Sequence, residues 1–158
     1  VIGVVGSPAK ADLARTQGCD EVIVGSEEPF TAGVKRLTGG RGVAVVYDSV
    51  GASTFAGSLD CLRPMGMMVS FGNASGPVPP FDLLLLSQKG SLFVTRPTIV
   101  HYTTKRADLE ALGAELFDVV ASGKVRIEVN QTYPLKDAAQ AQRDLEARKT
   151  TGSTILLP

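Results

Sequence analysis

Short β-branched runs alternate with stretches of helical periodicity along the whole chain, the pattern of parallel βαβ units. Residues 1–5 open it as an apolar strand. Pro8 suits a first helical turn, Leu13 and Ala14 give that helix an apolar face, and Gly18 stops it. Val22-Ile23-Val24 predicts a second strand. A helix from about Pro29 buries Phe30, Val34 and Leu37 and ends at Gly39-Gly40. Residues 43–47 form a third strand closed by Asp48-Ser49-Val50-Gly51. A helix carrying Phe55, Leu59 and Leu62 breaks at Pro64, and residues 66–71 return as a fourth strand ended by Gly72 and Asn73.

The second half continues the alternation. After the irregular Gly76-Pro77-Val78-Pro79-Pro80, residues 83–86 are apolar on every side and predict a short buried helix. Ser91-Leu92-Phe93-Val94-Thr95 reads as a fifth strand. A long helix spans about 105–122, with Thr104 as N-cap and Leu109, Leu112, Leu116 and Val120 facing inward. A strand at 125–129, a helix at about 137–149 and a strand at 154–157 complete the pattern. The fold class is α/β, a doubly wound parallel sheet.

Composition narrows the chemistry. Sixteen Lys+Arg balance sixteen Asp+Glu, so no field draws the chain to nucleic acid or a membrane surface. No apolar run reaches the roughly 18–20 residues of a membrane span. Two lone cysteines, Cys19 and Cys61, make neither a disulfide scaffold nor, with the single His101, a four-ligand zinc site. A reducing cytoplasm is the expected setting. The chain opens on Val1 inside an apparent strand, which suggests a fragment. Cys61 reads as packing, Cys19 as an unactivated turn thiol, and His101 beside Tyr102 as a surface or interface residue.

In open parallel sheets ligands bind beyond the carboxyl ends of the strands. Those ends here read Val5-Gly6-Ser7, Asp48-Ser49-Val50-Gly51 and Phe71-Gly72-Asn73, each joining small residues to a hydroxyl or amide. The glycine-rich dinucleotide fingerprint is absent, and Gly39-Gly40-Arg41-Gly42 follows a helix, the wrong context for one. The first turn, Gly6-Ser7-Pro8-Ala9-Lys10, carries no carboxylate to accept from a ribose 2′-hydroxyl. Ser7 and Lys10 at a helix start would suit a 2′-phosphate; equally, Ser7 is an ordinary N-cap and Lys10 a solvated charge. Asp48 at a strand end also invites a receiver-domain reading with Lys89 as its partner, but the first strand lacks the acidic pair that would hold Mg²⁺.

Several motifs taken in order carry a resemblance. Val45-Val46-Tyr47-Asp48-Ser49-Val50-Gly51, Ser58-Leu59-Asp60-Cys61-Leu62, Met68 through Gly76, Gln88 through Pro97, and the tail from Leu145 through Thr150-Thr151-Gly152-Ser153 to Pro158 resemble NADPH:quinone oxidoreductases of the zeta-crystallin-like, zinc-independent medium-chain dehydrogenase/reductase family. The resemblance implies a Rossmann-type domain lacking its first strand and glycine-rich turn. It also implies a missing GroES-like catalytic domain, toward which residues from about 125 to 158 return.

For the site, the resemblance implies an NADP(H) cofactor with its 2′-phosphate on Gly6, Ser7 and Lys10, helped by Arg148. Ser49, Val50, Phe71, Gly72 and Asn73 would line the groove. Gly25 and Ser26 stand where the family often has a tyrosine and an arginine, a departure worth about 1 kcal/mol of adenine packing. The implied reaction passes a hydride to a quinone-like small molecule or other electron-poor alkene, with no metal, no protein nucleophile and no catalytic residue assigned in this chain. It further implies a homodimer through the strand at 91–95, and exposed flanking strands where the first strand is missing. The alternative is a noncatalytic Rossmann-like module that binds or interacts without turnover.

Overall fold

The computed structural model describes all of residues 1–158, in two compact units, 1–102 and 103–158. In the first unit, β1 (Ile2–Val5) pairs in parallel with β2 (Glu21–Val24). A separate parallel ladder joins β3 (Val43–Asp48), β4 (Leu62–Ser70) and β5 (Phe93–Thr95) in that order. The helices between strands are α1 (Ala11–Thr16), α2 (Phe30–Leu37), α3 (Phe55–Asp60) and α4 (Leu84–Gln88), and α5 (Ile99–Tyr102) follows β5. Every strand pairing is parallel and the crossovers are helical, as the alternation predicts.

The two ladders share no backbone hydrogen bond. Val1, Ile2 and Val4 face Val43, Val45, Val46 and Tyr47 across an apolar groove of about 640 Å³. With that groove included, the order β2, β1, groove, β3, β4, β5 is the dinucleotide-binding order 3-2-1-4-5-6 with its first strand left out. The expected exposure of the flanking strands follows, with Val4 54% and Tyr47 74% accessible.

Side chains hold the ladders together. Ile23 of β2, Val34 of α2 and Cys61 are buried as one cluster, and Ile2, Phe30, Leu37, Val43 and Val46 pack on it. A second cluster gathers Phe55, Leu59, Leu62, Met68 and Leu92, and Val43 and Val46 touch both. The helical spacing of Phe30, Val34 and Leu37 thus brings three side chains of α2 down together over β1, β2 and β3. Full burial of Ile23, Leu59 and Met68 stabilises by about 1.5–3 kcal/mol each. Gly18, Gly39 and Gly40 end their helices at positive φ as expected (98°, 59° and 78°).

Several boundaries differ from the sequence expectation. Leu62 begins β4 instead of ending α3, because the strand runs through Pro64. The β3–β4 register shifts between Val43 and Val45, and this bulge, with Met65 at φ 57°, accommodates the proline. The helix at 83–86 is only half buried. Leu85 and Leu86 pack on the core while Leu83 and Leu84 are exposed, so an all-apolar run here has one covered face. The fifth strand is shorter than 91–95, since Ser91 turns at φ 57° and Leu92 dives into the core.

The second unit contains α6 (Arg106–Ala121), β6 (Val129–Pro134), α7 (Ala138–Glu146) and β7 (Ser153–Leu157). Here β6 and β7 pair in parallel as a ladder of their own. The strand expected at 125–129 lies later, because pairing with β7 selects Val129-Asn130-Gln131-Thr132-Tyr133-Pro134 over the more apolar stretch before it. The cap of α6 falls on Lys105, not Thr104, and no side chain caps it. Leu109, Leu112 and Leu116 do not face inward: they are 47%, 43% and 56% exposed, and α6 buries no residue. In this unit it is α7 that packs on β6, which leaves the leucine stripe uncovered.

Candidate functional site

The carboxyl ends of β3 and β4 are laced together. Strand β3 ends on Asp48, which is 4% exposed and faces no cation. Its Oδ1 accepts from the Val50 and Gly51 N–H groups at 2.8 and 3.0 Å. The Thr54 hydroxyl lies 3.0 Å from Oδ1 and 2.8 Å from Oδ2, and the Ser58 hydroxyl donates to Oδ2 at 2.7 Å. Burial works against the Asp48 charge, but donation from Gly51, Ser58, Thr54 and Val50 outweighs it and holds the carboxyl below its ordinary range.

The loop after β4 closes on the same segment. The Phe71 N–H donates to the Asp48 carbonyl at 2.8 Å, Ala74 N–H to Ser49 at 3.2 Å, and Ser75 N–H to Val50 at 2.8 Å. The Ser75 hydroxyl donates to the Val50 carbonyl at 2.8 Å and accepts from Ser53 N–H at 3.0 Å. Gly72 permits this approach: a Cβ there would stand 2.2 Å from the Ser49 carbonyl oxygen. Gly51, at φ 91°, similarly brings its backbone against Gly76. Five of the residues singled out from sequence, Ser49, Val50, Phe71, Gly72 and Asn73, therefore lie on one continuous surface, with Ser49, Val50, Phe71 and Asn73 exposed. Arg96, beyond β5, donates to the Ser70 carbonyl at 2.8 Å and ties the end of β5 to the end of β4.

The other bank of the groove carries the first turn. Gly6 is exposed, with nothing within 4 Å of where its Cβ would be, so the glycine leaves open room there. Ser7 is extended (φ −155°, ψ 155°) and precedes a 3-10 turn, Pro8–Lys10, that runs on into α1; its side chain makes no capping bond. Ser7 thus occupies the N-cap position of that turn, as the alternative reading has it, without a capping bond from its hydroxyl. Lys10 is partly buried. Gly25, where an aromatic residue is often found in the family, donates its N–H to the Val5 carbonyl at 2.8 Å and flanks the turn without a side chain. Arg148 belongs to the second unit, just past α7, exposed and at φ 58°.

Residues considered for other chemistry resolve simply. Lys89 pairs with Asp60, not Asp48, which removes the geometry of a phosphoacceptor site. Cys61 is buried, and burial first, then the Asp60 charge, push its thiol up to about 11 against the opposing pull of Lys35. His101 sits in α5 and is exposed. Sequence reasoning missed Thr54, Ser58, Ser75 and Arg96; Asp48 was weighed only as a phosphoacceptor. A strand-terminal Asp followed by hydroxyl residues was the available signal, but the partners lie 6 to 26 positions away and only folding brings them together.

These features define an incomplete Rossmann-type domain whose ligand edge is the carboxyl end of its strands. Residues 17–156 match the family model described as "Zinc-binding dehydrogenase", and the chain belongs to that family. It is 52% identical over its full length to a quinone oxidoreductase of Pseudomonas aeruginosa, of which it covers 49%. It is 44% identical to a 2-haloacrylate reductase of a Burkholderia species, covering 48% of it. The crystal structure of Escherichia coli quinone oxidoreductase complexed with NADPH superposes with a TM-score of 0.95 at 49% identity, over 99% of this chain and 49% of that one. The chain thus spans about half the length of the relatives it matches. The family description carries a metal, but no group of three or more His, Cys, Asp or Glu residues here could hold one.

Proposed function

We propose that residues 1–158 are the cofactor-binding half of an oxidoreductase that uses NADPH to reduce a quinone or similar electron-poor alkene. The observation that carries this reading is the pairing of a laced loop surface with a first turn that offers a hydroxyl, an ammonium group and open space, and no carboxylate. The names and the bound NADPH of the relatives support it.

The residues fit the cofactor in kind. Gly6, Ser7 and Lys10 would take the 2′-phosphate, where a hydroxyl that caps nothing and a cation supply the charge-assisted contacts an oxyanion needs. Ser49, Val50, Phe71, Gly72 and Asn73 would line the nucleotide, and Phe71, 52% exposed, offers an aromatic face. When bound, the dihydronicotinamide supplies a hydride. The chain's own part is to hold and orient that donor, since an already electrophilic acceptor requires neither a Lewis acid nor a nucleophile from these residues. We assign no catalytic residue within 1–158, and expect the isolated chain to turn over no quinone. A 2-haloacrylate reductase among the relatives supports the wider acceptor class of electron-poor alkenes.

Two subsidiary proposals follow. Strand β5 pairs only with β4, and its open edge with exposed Phe93 suits a homodimer of like edges. The free thiols of Cys19 and Cys61 support a cytoplasmic setting.

The test is a fluorescence titration of NADPH against NADH in the intact oxidoreductase, with and without Lys10→Ala. NADPH should bind more tightly, and Lys10→Ala should weaken NADPH at least tenfold more than NADH. Equal affinity for the two nucleotides in the unmodified protein would refute the 2′-phosphate assignment. Absence of binding to either would leave the noncatalytic module as the better description.

A further inference from the structure

We infer that Asp48 and Ser75 are positioning residues for the nucleotide: together they clip residues 49–51 and 71–76 into one rigid platform, set before the ligand arrives. The inference rests on the proposal that these loops face NADPH, and goes beyond it by assigning work to two side chains that need not touch the cofactor.

The geometry centres on Val50. Its N–H is held by Asp48 Oδ1 at 2.8 Å, and its carbonyl is held twice by Ser75, through N–H and hydroxyl, both at 2.8 Å. Both backbone polar groups of Val50 are therefore committed to residues on either side of the loop pair. Ser49 is fixed in turn, because its carbonyl accepts from Ala74 N–H. Its neighbour Gly51 gives its N–H to Asp48 at 3.0 Å. The Ser75 hydroxyl also takes Ser53 N–H, so one oxygen bridges two turns of the first loop. Every buried polar side-chain atom has a partner.

A buried carboxylate with only neutral donors is an expensive way to hold a turn. An acceptor-only group, however, can gather four donors at once, which a hydroxyl or amide cannot do without turning one of its own donors toward them. The result is a loop surface whose exposed face, at Ser49 and Val50, has few alternative conformations to lose on binding. Preorganisation of this kind appears in nucleotide affinity, not in the chemical step.

The experiment uses the intact oxidoreductase, NADPH as varied substrate and a saturating quinone, with thermal melts of each variant. Ser75→Ala removes an exposed hydroxyl and should leave the melting midpoint within a few degrees. It should raise KM for NADPH about 3–10-fold, the scale of one or two net hydrogen bonds, with kcat within about twofold. Ser75→Thr, which keeps the hydroxyl, should return KM to near the unmodified value. Asp48→Asn should raise KM further, and its effect should combine non-additively with that of Ser75→Ala because both hold the same peptide unit. Should Asp48→Asn fail to fold, the serine pair decides alone. Unchanged KM in Ser75→Ala, or an equal rise in Ser75→Ala and Ser75→Thr, overturns the clip. Failure of the unmodified protein to bind NADPH overturns the functional reading and the clip with it, whereas normal binding with indifferent variants overturns the clip only.

Discussion

Gly72→Ala is the sharpest perturbation of the laced loops. The added methyl would lie 2.2 Å from the Ser49 carbonyl oxygen and 2.8 Å from the Ser49 carbonyl carbon and Cα. All three are backbone atoms, so no rotamer change relieves the clash. The loops must part by roughly 1 Å to restore an ordinary contact, and parting strains the bonds from Phe71 N–H to Asp48 and from Ala74 N–H to Ser49. Overpacking against yielding neighbours costs about 1–3 kcal/mol; against backbone the upper end applies, about 3 kcal/mol. For a unit of this size that lowers the melting midpoint by roughly 10–20 °C. Thermal unfolding followed by circular dichroism measures it. The control is Gly113→Ala in α6, where an added Cβ meets nothing within 4 Å and the glycine sits in a helix interior. That change should stabilise by about 0.5–1 kcal/mol. A Gly72→Ala midpoint within about 2 °C of the unmodified protein would show that the two loops are not in contact as described.

Three further outcomes are expected. Cys61, its thiol raised to about 11 and its side chain buried, should resist a thiol reagent at pH 8 in the folded protein while the half-buried Cys19 reacts; mass spectrometry after brief labelling reads both sites. Asp48 has a folded-state pKa below its unfolded value, so its contribution is present above about pH 4 and is lost as pH falls through the folded value. Denaturant midpoints followed downward from pH 6 should therefore fall less steeply in Asp48→Asn than in the unmodified protein; parallel curves would remove Asp48 from the acid limb. Light scattering of the intact protein should give twice the protomer mass, and a monomer at micromolar concentration would refute the β5 edge as an interface.

The strands that side-chain pattern made legible are those buried by their own composition, such as Val43–Asp48 and the run through Ile23. Helix stops at Gly18, Gly39 and Gly40 were legible for a local reason, since positive φ is a property of the residue itself. Where tertiary partners decide, the pattern misleads. The polar Val129–Pro134 becomes a strand because β7 pairs with it, and Leu62 leaves its helical period to join β4 through a bulge. The leucines of α6 recur at helical spacing, but the helix separates its apolar and polar faces poorly and buries none of its residues. The site divides the same way. Its small exposed residues follow from strand ends and turn chemistry, while the roles of Ser75 and Arg96 depend on hydrogen bonds spanning 25 and 26 positions. No local propensity encodes these.

The apolar groove between β1 and β3 has a mechanical consequence. The first turn stands on one ladder and the laced loops on the other, and between them run packed side chains but no backbone bond. Sliding or spreading of the two banks is therefore resisted only by side-chain packing, that of Ile23, Val34 and Cys61 with Ile2, Phe30, Leu37, Val43 and Val46 around them. In the proposed binding mode, a dinucleotide anchored at Lys10 and lying along Val50 would act as a tie-rod across that seam and would couple nucleotide grip to sheet stiffness.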